Sequence, residues 1–338
     1  MSRLGGLVAA TLGAVALVAA GPSVGRAADL ANAGEGTRWI TLGVHAGPVV
    51  GSSAQPANAL IVNGEVYVVD AGNGVAGQLF KAGINPAVVS SIFISHNHND
   101  HNADMGTLMG VEYSSGRVAP ITVYGPAGTE AAMKGFMEFF RVNADIRMSE
   151  ADHQVPPEAV FFARDISAPG VVYRDRNITV TAVENDHFHF AAGSPAHGRA
   201  RSYAYRFQTP DRVIVYTGDT GPSARVVELA KGADLLISEV INVPELIAYF
   251  TKNPPTPANA RGSKGSGPKL QDVLRHFKED HLSPEDVGRM ASAAGVKSVL
   301  LTHLAPEVPE QDLERVYLVP IRKFYSGPVV VAHDLGNY

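Results

Sequence analysis

The segment SHNHNDHNADMG, Ser95 to Gly106, directly follows the apolar run VVSSIFI, residues 88–94. It sets His96, His98, Asp100, His101 and Asp104 close together at the end of a buried strand. Side chains alternate along an extended chain, so His96 and His98 point the same way and can share one metal ion. Asp100 and His101 fall at the turn, within reach of a second ion. A carboxylate bridging the two would hold them roughly 3.5–4 Å apart. Taken alone, such a tract would also suit a surface site that scavenges metal, so the rest of the chain has to decide.

Elsewhere, apolar strands again end on polar residues. Asp219 closes RVIVYTGD (212–219), Glu239 sits near the end of DLLISEV (234–240), and His303 closes KSVLLTH (297–303). The strand NITVTAVEND (177–186) leads to His187, with His189 as its competitor. In a layered α/β fold, residues at such strand ends converge on one rim. Asp219 suits the bridging role, and His303 and His187 suit the remaining positions, one per ion. The chain has no cysteine. Nitrogen and oxygen donors without sulfur suit Zn²⁺, with Mn²⁺ or Fe as alternatives.

Around these strands, ANALIVNGEVYVVDAG (57–72) reads as a hairpin turning at Asn63-Gly64. GVAGQLFKAG (74–83), residues 105–113, GTEAAMKGFMEFFRVN (128–143), ARVVELAKGA (224–233) and LQDVLRHFKEDH (270–281) read as helices. RWITLGV (38–44), ITVYG (121–125) and SYAYRFQT (202–209) read as strands, and the tail VVVAHDLGNY as one more. In HLSPEDVGRMASAAG (281–295), Ser283 caps a helix, Pro284 opens it and Gly295 ends it. Residues 144–175 have weak periodicity and read as an insertion or lid. Strands alternate with helices, yet many arrive as hairpins, which predicts mixed sheets with helices outside.

The 338 residues are 45% apolar and 18% charged, as in a folded domain with a sizeable core. The first residues stand apart. Arg3 precedes an apolar run from Leu4 to Ala20, and Gly25 and Ala27 mark a cleavage point. Residues 1–27 therefore read as a secretory signal peptide, and 36–338 as a single domain in the periplasm or outside the cell. Cleavage would remove Arg3 and Arg26, making the formal charge of −5 more negative. A mildly acidic chain is a poor candidate for gripping a polyanion, so no nucleic-acid partner is expected. No second apolar run is long enough to span a membrane, so none is expected in the mature chain. A small-molecule ester is the expected partner, and a homodimer is left open.

The pieces ITLGVHAGP, ANALIVNGEVYVVDAG, IFISHNHNDH, VYGP, VIVYTGDTGPSARVVELAKGADLLISE and HLSPEDVGRMASAAGVKSVLLTHLAP follow one another through residues 38–306. Together they resemble the metallo-β-lactamase superfamily, and within it the branch of ribonuclease Z and the zinc-dependent (type III) arylsulfatases. The resemblance implies a four-layer αβ/βα sandwich with metals at its rim. It implies one zinc on His96, His98, His187 and Asp219, and another on Asp100, His101, Asp219 and His303. It also implies that His281 faces the substrate. Where ribonuclease Z-like chains often have glycine, this one has Asp104, and DHNAD (100–104) is more similar to exported arylsulfatase-like members.

Two such ions would lower the pKa of a bridging water and supply hydroxide, with Asp100 orienting it. His281 would then stabilise the developing negative charge or protonate the leaving oxygen; Glu239 either orients it or is an ordinary strand-end acid, and Asp70 either supports the cluster or is a turn residue before Ala71-Gly72. Phe188, His189 and Phe190 either line the pocket or belong to the core. Arg199 and Arg201 either meet an anionic substrate or are solvated. The expected function is exported dinuclear-zinc hydrolysis of sulfate or phosphate (di)esters. A lactonase or carboxylic ester hydrolase is the alternative, and a non-catalytic zinc-binding envelope protein the third reading.

Overall fold

The computed structural model describes residues 36–47, 52–150, 155–252 and 270–338. The segment read as a signal peptide lies outside the described residues. Among the described residues, fourteen strands form two seven-stranded sheets. Strands β1 (Thr37–Gly43), β2 (Ala57–Val62), β3 (Glu65–Ala71), β4 (Val89–Phe93), β5 (Ile121–Gly125) and β6 (Phe161–Asp165) run in that order across the first sheet. Strands β7 (Gly170–Arg174), β8 (Thr179–Glu184), β9 (Tyr203–Gln208), β10 (Val213–Tyr216), β11 (Leu235–Ile241), β12 (Val299–Ala305) and β13 (Val329–Val331) form the second. The last strand, β14 (Gly336–Asn337), returns to the edge of the first sheet beside β1.

The layering follows from side-chain alternation. β2 is buried along its whole length. Leu60 and Val62 pack between the sheets, while Ala59 and Ile61 face the outer helices. β3 divides the same way, Tyr67 and Val69 inward, Val66 and Val68 outward. A strand covered on both faces reads as a continuous apolar run, as these do. Aromatic rings join the two sheets: Phe93 of β4 meets Phe207 of β9 at 5.8 Å between ring centroids, edge to face. Helices α1 (Val75–Lys81), α2 (Asn99–Asn102), α3 (Met105–Ser114) and α4 (Thr129–Glu150) follow strands of the first sheet. Helices α5 (Ala224–Ala230), α6 (Val243–Lys252), α7 (Leu270–Glu279) and α8 (Pro284–Ala294) accompany the second. The result is the four-layer αβ/βα sandwich that the resemblance implies.

Local signals place several elements. Asn63 and Gly64 both take positive φ, 50° and 83°, as a two-residue hairpin turn requires. The Ser283 side chain accepts from the Asp286 N–H, Pro284 opens α8, and Gly295 closes it at φ 61°. Two expectations need correction. Residues 144–175 are not a lid: they finish α4 and then supply β6 and β7, edge strands of the two sheets. Their weak periodicity reflects half-exposed edges, where charged residues sit on the open face. The tail gives two short strands, one in each sheet.

One close approach joins the fold to the histidine segment. A Cβ on Gly72 would lie 2.1 Å from the Asp100 carbonyl oxygen. Gly77, exposed in α1, has nothing within 4 Å of its added Cβ. Gly72→Ala should therefore push the Asp100 turn outward and lower both the melting temperature and the metal content. Gly77→Ala should raise stability by about 0.5–1 kcal/mol. Thermal melts of the two variants beside wild type check the contrast, and equal effects would refute it.

Candidate metal centre

Strand ends from both sheets meet at one rim. β4 delivers His96 and His98, and α2 carries Asp100 and His101. β10 leads to Asp219, and His303 stands within β12. β12 slips by one residue against β11: Thr302 pairs with Glu239 and Leu304 with Val240, leaving His303 unpaired between them. That bulge, with His303 at φ 48°, re-aims its ring toward the rim.

Among the described residues, donor atoms form four groups, each within a span that one ion could fill, and two of these together hold all seven of the expected ligands. His96, His98 and His187 make the first, and Asp100, His101, Asp219 and His303 the second. His98 Nδ1 lies 3.0 Å from His96 Nε2 and 3.2 Å from His187 Nε2. Asp219 reaches both groups. Its Oδ2 is 3.8 Å from His96 Nε2 and 3.1 Å from His303 Nε2, and its Oδ1 is 3.3 Å from His101 Nε2. His101 Nε2, His303 Nε2 and Asp219 Oδ1 are all buried without a hydrogen-bond partner. Orphaned buried polar atoms are costly, and a cation among them would satisfy all three. The residues present therefore fit a metal.

The surroundings fix each ring. Asp70 receives four donors: the Ser95 N–H at 2.7 Å, the Ser95 hydroxyl at 2.8 Å, the Tyr216 hydroxyl at 2.7 Å and His101 Nδ1 at 2.8 Å. It thus supports the cluster through His101, and it does so from a left-handed backbone at φ 59°. His187 Nδ1 donates to the Asp280 carbonyl at 2.9 Å. Burial pulls His187 down to about 3, so it is neutral and its Nε2 keeps a free lone pair for a metal. Burial also opposes charge on His303, but the Asp219 and Asp100 carboxylates outweigh it and push it up to about 10. Burial would raise Asp219 too, yet His101 and His303 hold it well below the carboxylate range.

His281 belongs to the other two donor groups, one with His187 and Asp219 and one with Glu239 and His303. Its Nδ1 is 2.8 Å from Glu239 Oε2, and Glu239 Oε1 accepts the Thr220 N–H at 2.6 Å. Glu239 therefore orients His281. Burial pushes the Glu239 carboxyl up, with Asp219's charge adding to it, and burial pulls His281 down to about 3.

The chain brings His187 into the cluster and leaves His189 outside it, half-exposed and 2.5 Å from Asp280. Asp280 and His276 were not singled out by sequence. Asp280 holds His189 and His276 with its carboxylate and His187 with its carbonyl. The four-residue spacing of His276 and Asp280 in a helical segment was the available signal. Asp104 accepts the Gly74 N–H at 2.7 Å, tying the turn before α1 to the histidine segment. Arg201 pairs with Glu184 at 3.4 Å, and Arg199 lines a shallow cleft beside Gly128.

Residues 66–304 match the family model of the beta-lactamase superfamily domain. The chain belongs to that superfamily. A ribonuclease Z of Mycolicibacterium paratuberculosis is 26% identical over 286 residues, covering 83% of this chain and 90% of the relative. Among solved structures, the metallo-beta-lactamase fold protein YhfI from Bacillus subtilis has a TM-score of 0.60 at 19% identity, covering 89% of this chain and 98% of the other. Human tRNase Z, short form, has a TM-score of 0.57 at 18% identity, with the same coverage. The superfamily member described here is thus a metal-dependent hydrolase. The expectation that excluded nucleic acid is overturned, because a similar relative across most of its length is named as a ribonuclease. Net charge was the wrong criterion, since it governs sequence-independent binding of many phosphates and not the handling of one phosphate at a buried site. Among the described residues, no helix is long and apolar enough to cross a membrane.

Asp219 touches both groups of expected ligands, so Asp219→Ala should reduce bound zinc at both, read by metal analysis after dialysis. His281→Ala should retain the wild-type zinc content. Loss of metal from His281→Ala would place that ring among the ligands.

Proposed function

We propose that the chain is an exported phosphodiesterase that works with two bound metal ions, zinc first among them, and takes RNA or smaller phosphodiesters as substrate. The observation that carries this reading is the sharing of buried Asp219 between two donor groups. His96, His98, His187 and Asp219 would hold one ion, and Asp100, His101, Asp219 and His303 the other. When bound, the ions supply Lewis acidity and a water that ionises near neutral pH.

The chain's own groups do the rest. The Asp100 carboxylate accepts the Gly47 N–H at 2.9 Å and stands 3.5 Å from His303 Nε2. Anchored this way, it orients the attacking water. Neutral because it is buried, His281 steadies the negative charge developing on the leaving oxygen through an imidazole N–H, and Glu239 keeps its ring from turning. The ribonuclease names among the relatives support a phosphodiester over other esters. The leader-like residues 1–27 support export. Sulfate esters are the second reading. DHNAD (100–104) favours them, and a sulfate monoester resembles a phosphodiester in presenting a tetrahedral centre with one negative charge.

The test is hydrolysis of an aryl phosphodiester, a structured RNA, an aryl sulfate and a lactone by the zinc-loaded protein. Phosphodiester or RNA turnover that vanishes in Asp219→Ala is the expected result. His281→Ala should lose roughly 10²-fold or more in kcat with zinc retained, and Glu239→Gln should lose less. Turnover of the sulfate alone would move the protein to the second reading, and turnover of the lactone alone would refute both.

A further inference from the structure

The stretch His187–Phe190 sends its side chains two ways. His187 and His189 both reach Asp280. Phe188 and Phe190 go the other way and stack, with ring centroids 4.8 Å apart and planes 26° from parallel. Phe188 also stands edge-on against His98, at 5.3 Å and 83°, and against His96, at 5.8 Å and 72°. The aromatic pair therefore starts at the metal cluster and runs outward to Phe190, which is 36% exposed. Neither ring belongs to the described hydrophobic core clusters.

A cleft of about 270 Å³ opens beside the pair, lined by both rings together with Asn185, His197, Arg201 and Ser202. Asn185 is only 4% exposed. Its Nδ2 donates to the Thr217 carbonyl at 2.9 Å, while its Oδ1 is buried without a partner. The cleft thus offers an exposed π-face above a wall in which Asn185 is held by the chain's own backbone.

We propose that this cleft is a subsite for a planar aromatic ring carried by the substrate, a nucleobase or an aryl group, which stacks on Phe190 while the ester lies at the metal cluster. The orientation toward the cluster rests on the phosphodiesterase reading; the binding of the ring does not. Stacking on an aromatic side chain tolerates any base, because every base has a π-face.

The experiment is calorimetric titration of the zinc-loaded protein with uridine 5′-monophosphate, phenyl phosphate and ribose 5-phosphate. Wild type, Phe190→Ala and Phe190→Tyr are compared. At least one aromatic phosphate should bind roughly fivefold or more tightly than ribose 5-phosphate. Phe190→Ala should erase that advantage and Phe190→Tyr should keep it. A larger advantage for the uridine ligand assigns the subsite to a nucleobase, and a larger one for phenyl phosphate assigns it to a simple aryl ester. Equal binding of all three, binding of none, or an advantage that survives Phe190→Ala overturns the proposal. None of these readings needs turnover. A protein that shows the aromatic preference but hydrolyses no phosphodiester would sink the phosphodiesterase reading alone.

Discussion

A carboxylate buried almost completely, Asp219, sits within 4 Å of three imidazoles supplied by both sheets. An isolated buried charge of this kind is too costly to persist. Its neighbours must therefore come to it, and they come from β4, α2 and β12, which the chain separates widely. The inter-sheet core makes that meeting reproducible. Trp39 packs on Phe207 and Tyr216, and Phe93 on Tyr205 and Phe207, so the sheets are locked face to face before the rim is reached. Apolar packing sets the distance between the strand ends, and the rim charges decide what can occupy the gap. Asp70 extends the arrangement downward, since Tyr216 of the core also donates to it. One carboxylate thus couples the core to His101.

Two ring positions depend on backbone that L-residues rarely adopt. Asp70 and His303 both have left-handed φ, as do Asn63 in a hairpin turn and Leu335 near the end of the chain. At Asn63 the turn itself calls for that conformation, and Asn tolerates it cheaply. At Asp70 and His303 no turn does. Each sits inside a strand near its C-terminal end, and each uses backbone strain to aim its side chain. In β12 the mechanism is visible as a bulge. In β3 it lets one carboxylate gather four donors that a regular strand end would have scattered.

Much of this was legible in the sequence because polar residues that end apolar strands are conspicuous. The strand ITVYG occupies 121–125 as read, and Ser283, Pro284 and Gly295 bound α8 as read. The rim residues were legible for the same reason, and Glu239 beside His281 follows from two strand-end positions brought together. Most of what the sequence left unread lacks a local signature. FFARD and GVVYR look irregular because they are edge strands, half open to water. The division of the tail between two sheets depends on which edge each strand finds, a tertiary matter. Asp280 escaped because it orients His187 through its backbone carbonyl, which any residue type possesses.

A negative net charge does not exclude nucleic acid as a substrate. A formal charge of −5 weakens binding that depends on many phosphates releasing counterions along a surface. Cleavage of one phosphodiester requires little of that. It needs positive charge where a single phosphate sits, and low local dielectric makes such charge act strongly there. At this rim the donor groups are buried, and the half-exposed His276 is held above its usual range by hydrogen bonding to Asp280. The local field at the reacting group and the mean field of the molecule are separate quantities. An acidic chain can keep the second negative, limiting indiscriminate adsorption to polyanions, while its buried rim reserves the first for one group.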